Sequence, residues 1–343
     1  MPAVDDSAGG EGGAAELVFD QVTKRYPGRP EPAVNSLSLV VPAGEICVLV
    51  GPSGAGKTTA MKMVNRLIDI TEGDITIDGS SVRGMELTRL RRGIGYVIQQ
   101  VGLFPHMDVA DNIAVVPRLL GWDRARISRR VDELLELVGL DPQPDRGRYP
   151  AELSGGQRQR VGLARAVAAD PPLMLMDKPF GAIDPITRDR LQNEFLRLHR
   201  EIRKTVIFVT HDIDEAIKMG DRIAILRQGG VLAQYATPDE ILASPADDFI
   251  ASFVGADRGL KRLSLTRLAD LELEPPPGDG AADGAPTATE ATSLRDALSL
   301  MLTHDGRPLV VLGADGRPTG TVTVDMVSAT LSNGGGRRSA SRA

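Results

Sequence analysis

The sequence predicts an α/β fold followed by a small α+β unit, and three observations carry that expectation. Short apolar runs recur at residues 17–22, 37–41, 46–50, 94–98, 173–176, 206–209 and 223–226, several continuous instead of alternating. Longer segments with helical spacing lie between them, at 57–67, 124–138, 157–168 and 187–203. A stretch rich in Pro, Gly, Ala and Asp, 275–292, separates this pattern from a short unit with its own helix and strands. Continuous apolar strands suit a parallel sheet covered on both faces. Their alternation with helices is the signature of α/β architecture.

The chain has 343 residues, 42% of them hydrophobic and 25% charged, enough for two domains and a sizeable core. Its net charge of −6 argues against a broadly basic nucleic-acid surface, so no nucleic-acid partner is expected. The single cysteine, Cys47, sits in an apolar run and is expected to be a buried, inert thiol in a reducing compartment. Residues 1–16 are acidic and rich in Gly and Ala, and are expected to be a disordered leader, not a signal peptide. No run approaches the roughly 20 apolar residues of a membrane helix. Any work at a membrane therefore calls for a separate spanning subunit.

Residues 108–152 lack obvious strands and are expected to form a helical insertion. In the small unit, 293–302 has helical periodicity, 308–312 and 319–324 look like strands, and Asp315 and Gly316 supply a turn. The Gly- and Ser-rich tail, 333–343, is expected to be disordered.

The strongest chemical signal is Gly51-Pro52-Ser53-Gly54-Ala55-Gly56-Lys57-Thr58-Thr59, directly after an apolar strand and before a helix. This matches the phosphate-binding loop of P-loop NTPases in the required context. The glycines let backbone N–H groups curl around phosphate oxygens, and the helix N-terminus adds a favourable dipole. Lys57 at a helix start is unfavourable alone, and a bound polyphosphate reverses that penalty. The Thr58 hydroxyl suits Mg²⁺. A second signal is the apolar run 173–176 ending in Asp177, the carboxylate type that orients a Mg²⁺ shell downstream of such a loop. A third is Leu153-Ser154-Gly155-Gly156-Gln157, which opens the next helix. Ser154 and Gln157 fit a capping box. Capping does not need the adjacent Gly155 and Gly156, whereas a ligand approaching the helix N-terminus does.

With these motifs in this order, the chain resembles the ABC ATPase family, whose signature is matched by residues 153–157. The resemblance covers residues 17–255, with a helical subdomain at about 100–155, a connector and linker at 256–292, the small unit at 293–331, and a tail at 332–343. It implies ATP and Mg²⁺ as ligands and a dimer in which Ser154, Gly155, Gly156 and Gln157 meet the γ-phosphate held by the partner's phosphate loop. It further implies that Tyr26 stacks on adenine, that Gln99 links Mg²⁺ to the helical subdomain, and that Asp184 communicates across the dimer. His211 matches the switch histidine at the γ-phosphate, and Asp212 with Glu215 also forms a plausible capping box there.

One departure stands out. Where the family carries a glutamate that polarises the attacking water, this chain has Lys178. A lysine side chain holds its proton at neutral pH and cannot accept another. The expectation is therefore a chain that binds ATP and dimerises but turns over slowly; an active sequence variant is the alternative.

Residues 95–107, 112–122 and 253–263 resemble the ATP-binding subunits of quaternary-amine osmoprotectant importers (glycine betaine, choline, carnitine, proline). The resemblance implies a membrane-spanning permease partner, a second ATP-binding subunit, an extracytoplasmic binding protein acting indirectly, and a place on the cytoplasmic face of the membrane. The unit at 293–331 resembles a single CBS module. Two further readings stay open: a hydrolysis-impaired nucleotide-gated regulator, and an importer ATPase for another small solute.

Overall fold

The computed structural model describes residues 13–98, 102–181, 183–276 and 285–332. The expected tail from 333, Gln99, and residues 1–12 of the expected leader lie outside them. Ala15 and Glu16, expected in that leader, belong to the fold. Ala15 is buried, its N–H donates to the Pro172 carbonyl and its own carbonyl accepts from the Thr205 hydroxyl. The chain divides into two compact units, Met1–Ala236 and Thr237–Ala343.

The first unit opens with β1 (Leu17–Lys24) and β2 (Val34–Val41), followed by β3 (Ile46–Val50) and α1 (Lys57–Val64). Next come β4 (Glu72–Ile77), β5 (Ser80–Ser81), α2 (Leu87–Arg92) and β6 (Ile94–Val97). Four helices then follow with no described strand between them: α3 (Val109–Leu119), α4 (Arg124–Leu137), α5 (Pro142–Asp145) and α6 (Gly155–Val167). The unit closes with β7 (Leu173–Asp177), α7 (Pro185–Ile202), β8 (Thr205–Val209), α8 (Ile213–Met219), β9 (Arg222–Arg227) and β10 (Val231–Ala236).

Two sheets result. One has the order β2-β1-β4-β5 and the other β10-β9-β3-β8-β7-β6. In the second, β3, β6, β7, β8 and β9 run parallel, and β10 pairs antiparallel at the edge. Every residue of β3 and β8 is buried, which is why those runs read as unbroken hydrophobic stretches. In a parallel sheet the carboxyl ends of neighbouring strands face one crevice, the usual place for a ligand. Here β3, β8 and β7 are neighbours, so the residues following Val50, Val209 and Met176 converge there.

The second unit holds α9 (Pro238–Ala243), α10 (Asp248–Val254) and α11 (Arg258–Leu263). These precede β11 (Thr287–Thr289), α12 (Leu294–Thr303), β12 (Leu309–Leu312), β13 (Pro318–Val322) and α13 (Val324–Ser332). The expected boundary near residue 255 therefore moves to Ala236. The reason is packing: Leu263 of α11 is buried with Leu268, Leu294, Met301, Leu309 and Val322 in one core, and Arg262 Nε pairs with Asp239 Oδ1 of α9 at 2.8 Å. Part of the expected linker is also structured, since β11 runs parallel to β12, which pairs antiparallel with β13. Glu274 exchanges two backbone hydrogen bonds with Thr321, bringing the chain so close that a Cβ on Gly320 would lie 2.5 Å from Leu273 Cβ. Gly320→Ala is expected to destabilise this unit by about 1–3 kcal/mol, measurable as a lower urea midpoint.

Candidate nucleotide site

The loop after β3 is shaped by glycine. Gly54 and Gly56 take positive φ of 82° and 78°, which L side chains rarely adopt. A Cβ on Gly56 would also lie 2.1 Å from the Ala33 carbonyl. Gly56 is the N-cap of α1 and supplies no capping side chain, so the first-turn N–H groups of that helix have no side-chain acceptor. The space beside Gly54 is open for at least 4 Å around a Cβ position. A bare, positively polarised helix end facing an open cradle is chemistry that an oxyanion completes.

Lys57 lies in the same loop with only 6% of its surface exposed. Its Nζ donates to the carbonyls of Gly51 at 2.7 Å and Pro52 at 2.8 Å. Burial pulls its pKa down first, the nearby Lys178 ammonium pulls it further, and Asp177 opposes both. A triphosphate would relieve that strain. Thr58 Oγ1 donates to Asp177 Oδ1 at 3.2 Å, joining two residues 119 positions apart. One hydroxyl and one carboxylate fit Mg²⁺, which keeps several waters and takes substrate phosphate oxygens. No group of three or more His, Cys, Asp or Glu able to hold a metal occurs among the described residues.

Lys178 follows directly, with φ of 46°. Its N–H donates to the Val209 carbonyl at 2.9 Å, and its carbonyl accepts from Gly181 at 3.1 Å. The residue is thus fixed between the ends of β7 and β8. Its charge falls close enough to Lys57 to perturb that group, a pairing no sequence motif announces.

His211 is exposed in the turn between β8 and α8. Asp212 caps α8 by accepting from the N–H groups of Asp214 and Glu215. The reciprocal half of the expected capping box is missing because the Glu215 side chain turns inward and accepts from Gln192 Nε2 at 3.0 Å. Burial is the first cause of the raised Glu215 pKa. A raised carboxylate pKa means the folded chain binds the proton more tightly, so this group's contribution to stability falls as pH rises from about 4.5 upward. Glu215→Gln keeps an acceptor for Gln192 and is expected to flatten that part of the profile, giving a higher thermal midpoint at pH 8 but little change at pH 4.

At the start of α6, Ser154 and Gln157 complete a reciprocal capping box, with bonds of 2.9 and 3.2 Å. The two glycines are not demanded by packing. A Cβ on Gly155 would meet nothing closer than Arg158 at 4.0 Å, and one on Gly156 would sit at an ordinary 3.5 Å from Thr187. Neither glycine takes a positive φ, so their presence suits close approach by something outside this fold. No hydrogen bond joins residues 154–157 to residues 51–59 among the described residues. Asp184 caps α7 through Thr187 N–H at 3.0 Å, and that bond first of all holds its carboxyl below the usual range. Tyr26 is half-buried at a turn, its carbonyl accepting from Arg29 and Lys24 Nζ lying 5.1 Å from its ring centroid. Cys47 is buried as expected, its thiol pushed up to about 12 mainly by desolvation.

Residues 34–181 match the family model described as ABC transporter, a span that includes the phosphate loop, residues 154–157, Asp177 and Lys178. The osmoprotectant import ATP-binding protein OsmV of Salmonella typhimurium is 51% identical over 309 residues, 89% of this chain and 78% of that protein. The chain belongs to the ABC transporter family. Other ABC transporter relatives include the glycine betaine/carnitine/choline transport ATP-binding protein OpuCA of Bacillus subtilis, 47% identical over 91% of this chain and 79% of its own. The glycine betaine uptake system ATP-binding protein YehX of Escherichia coli is 46% identical over 89% of this chain and 97% of its own. Among solved structures, a dimeric post-hydrolysis state of the ATP-binding cassette MJ0796 bound to ADP and Pi aligns with a TM-score of 0.57. It shares 33% identity and covers 65% of this chain and 98% of that chain. The P-loop ABC ATPase fold and ATP binding are therefore properties of this chain.

Proposed function

We propose that this chain is the ATP-binding subunit of an importer for quaternary-amine osmoprotectants such as glycine betaine, choline, carnitine and proline. The observation that carries the ATPase reading is the convergence of Lys57, Thr58 and Asp177 around a glycine cradle. The solute class rests on the names of the relatives. Residues 51–59 hold the triphosphate, with Lys57 exchanging its two carbonyl partners for β- and γ-phosphate oxygens. Thr58 and Asp177 would hold Mg²⁺, with Gln99 as the further partner the family resemblance implies, and the ion would supply positive charge beside the phosphates. Tyr26 stacks on adenine. Two copies close around the nucleotide, so that Ser154, Gly155, Gly156 and Gln157 of one meet the phosphates held by the other. His211 senses the γ-phosphate, and Asp184 couples the two sites. Tighter ATP binding in the closed state drives closure, and hydrolysis resets it.

A spanning permease receives that motion. The groove of Arg91, Tyr96, Phe104, Val116, Arg165 and Pro171 suits a short permease helix, with Phe104 40% exposed at its edge. No described helix is long and apolar enough to cross a membrane, in keeping with a peripheral subunit on the cytoplasmic face that meets the extracytoplasmic binding protein only indirectly. The β–α–β–β–α succession from β11 to α13 supports reading that region as one CBS-like regulatory unit.

Lys178 favours a second reading, a hydrolysis-impaired nucleotide-gated subunit. An ammonium beside Lys57 stabilises bound triphosphate yet offers no base for water. Proteoliposomes holding this chain, its permease and the binding protein test the transport reading. ATP-dependent accumulation of labelled glycine betaine is expected; uptake confined to another solute class contradicts it.

A further inference from the structure

Two polar side chains meet between α7 and α8 where apolar ones would pack at lower cost. Gln192 is 5% exposed, and its Nε2 donates to Glu215 Oε1 at 3.0 Å. Their neighbours along the two helices, Leu191 and Phe195 of α7 and Ala216, Ile217 and Met219 of α8, are buried and apolar. Taking a carboxylate out of water costs free energy that a single amide partner does not fully return. A leucine at each position would fill the same contact without that cost. Stability therefore leaves this pair unexplained.

The pair stands in the middle of a continuous run of contacts. On one side the Glu215 carboxyl takes a hydrogen bond from the Thr210 hydroxyl, whose oxygen also accepts from the Asp212 N–H at 3.1 Å. Thr210 is buried, and its N–H donates to the Leu49 carbonyl of β3 at 3.2 Å, just before the phosphate loop. His211 lies exposed between these two anchored residues. On the other side, Asp184, Arg188 and Gln192 recur at four-residue spacing and so share one face of α7. Arg188 donates its N–H to the Asp184 carbonyl and its Nη2 to the Ile183 carbonyl, each at 2.9 Å. Its charge favours the ionised Glu215 carboxyl, which Asp212 opposes. Gln192 lies about 12 Å along the helix from Asp184.

We propose that Glu215 and Gln192 are positioning residues, a buried brace that holds the His211 turn in register with α7 and so ties the γ-phosphate contact to Asp184 within one chain. The proposal deepens the reading of His211 as the γ-phosphate sensor and rests on it. The outlying Lys218–Asp189 ion pair joins the same two helices at 2.5 Å, further along α8. It supplies the comparison for a merely structural role.

The test is calorimetric titration of the purified full chain, in Mg²⁺, with ADP and with AMP-PNP, a triphosphate analogue that resists hydrolysis. Gln192→Leu/Glu215→Leu should lower AMP-PNP affinity about tenfold, the effect of one misplaced charge-assisted hydrogen bond, and leave ADP affinity unchanged. His211→Ala should show the same pattern. The exchange Gln192→Glu/Glu215→Gln rebuilds the hydrogen bond with donor and acceptor reversed and should restore the discrimination. Lys218→Met should leave both affinities at the parent values. The first double variant should unfold no lower than the parent. Should it fail to fold, Thr210→Val removes the other end of the brace and carries the same expectation. Parent-like AMP-PNP affinity in the brace variants, with His211→Ala impaired, overturns the proposal, as does an equal loss for ADP. An unchanged ratio in His211→Ala overturns the sensor reading and the brace together, and leaves the site of Lys57, Thr58 and Asp177 standing.

Discussion

Replacing Lys178 with glutamate is expected to raise steady-state ATP hydrolysis by about 10²-fold or more, the usual contribution of a positioned general base. The backbone at this position is fixed by the Val209 and Gly181 hydrogen bonds, so either side chain starts from the same point at the end of β7. Its positive φ penalises both alike, and stability should change little. Removing the ammonium also relieves the repulsion that lowers the Lys57 pKa. Lys178→Gln separates the two effects, because it removes charge without supplying a base; its rate should stay near that of the parent chain. Phosphate release measured with the permease present reads all three. Equal rates for lysine and glutamate would mean that water is activated elsewhere.

Lys57→Met should weaken Mg²⁺-ATP binding by about 100-fold or more. Charge-assisted hydrogen bonds contribute roughly 1.5–3 kcal/mol each, and Lys57 is placed to make more than one. The unfolding midpoint should move far less. Methionine removes a nearly buried ammonium and its repulsion by Lys178, which offsets the donors lost by the Gly51 and Pro52 carbonyls. Nucleotide titration paired with thermal unfolding distinguishes a lost ligand contact from a lost fold.

The parallel sheet was legible because β3, β7 and β8 are covered on both faces and so read as unbroken apolar runs. β4 and β10 escaped that reading. They are largely half-exposed, and their apolar residues do not form a continuous run. β11 is only three residues long, too short for any period to register. The boundary at Ala236 depended on Leu263 entering the second unit's core, a tertiary choice that local composition does not encode.

In the site, the phosphate loop was legible because its chemistry lies in consecutive residues. The Thr58–Asp177 bond, the proximity of Lys178 to Lys57, and the inward turn of Glu215 toward Gln192 were not. Each joins separate elements through the order of strands in the sheet. The capping residues Ser154, Asp184 and Asp212 show the converse limit. Their local capping role is visible in both sequence and structure.

The proposed triphosphate site is Mg²⁺-dependent and is built by glycine backbone, Lys57, Thr58 and Asp177 acting together. Calorimetric titration of the purified chain with ATP, with and without Mg²⁺, addresses it most directly. Saturable binding that tightens strongly with Mg²⁺ is the predicted result. Absence of Mg²⁺-dependent affinity, both in the isolated chain and in the complex with its permease, would contradict it.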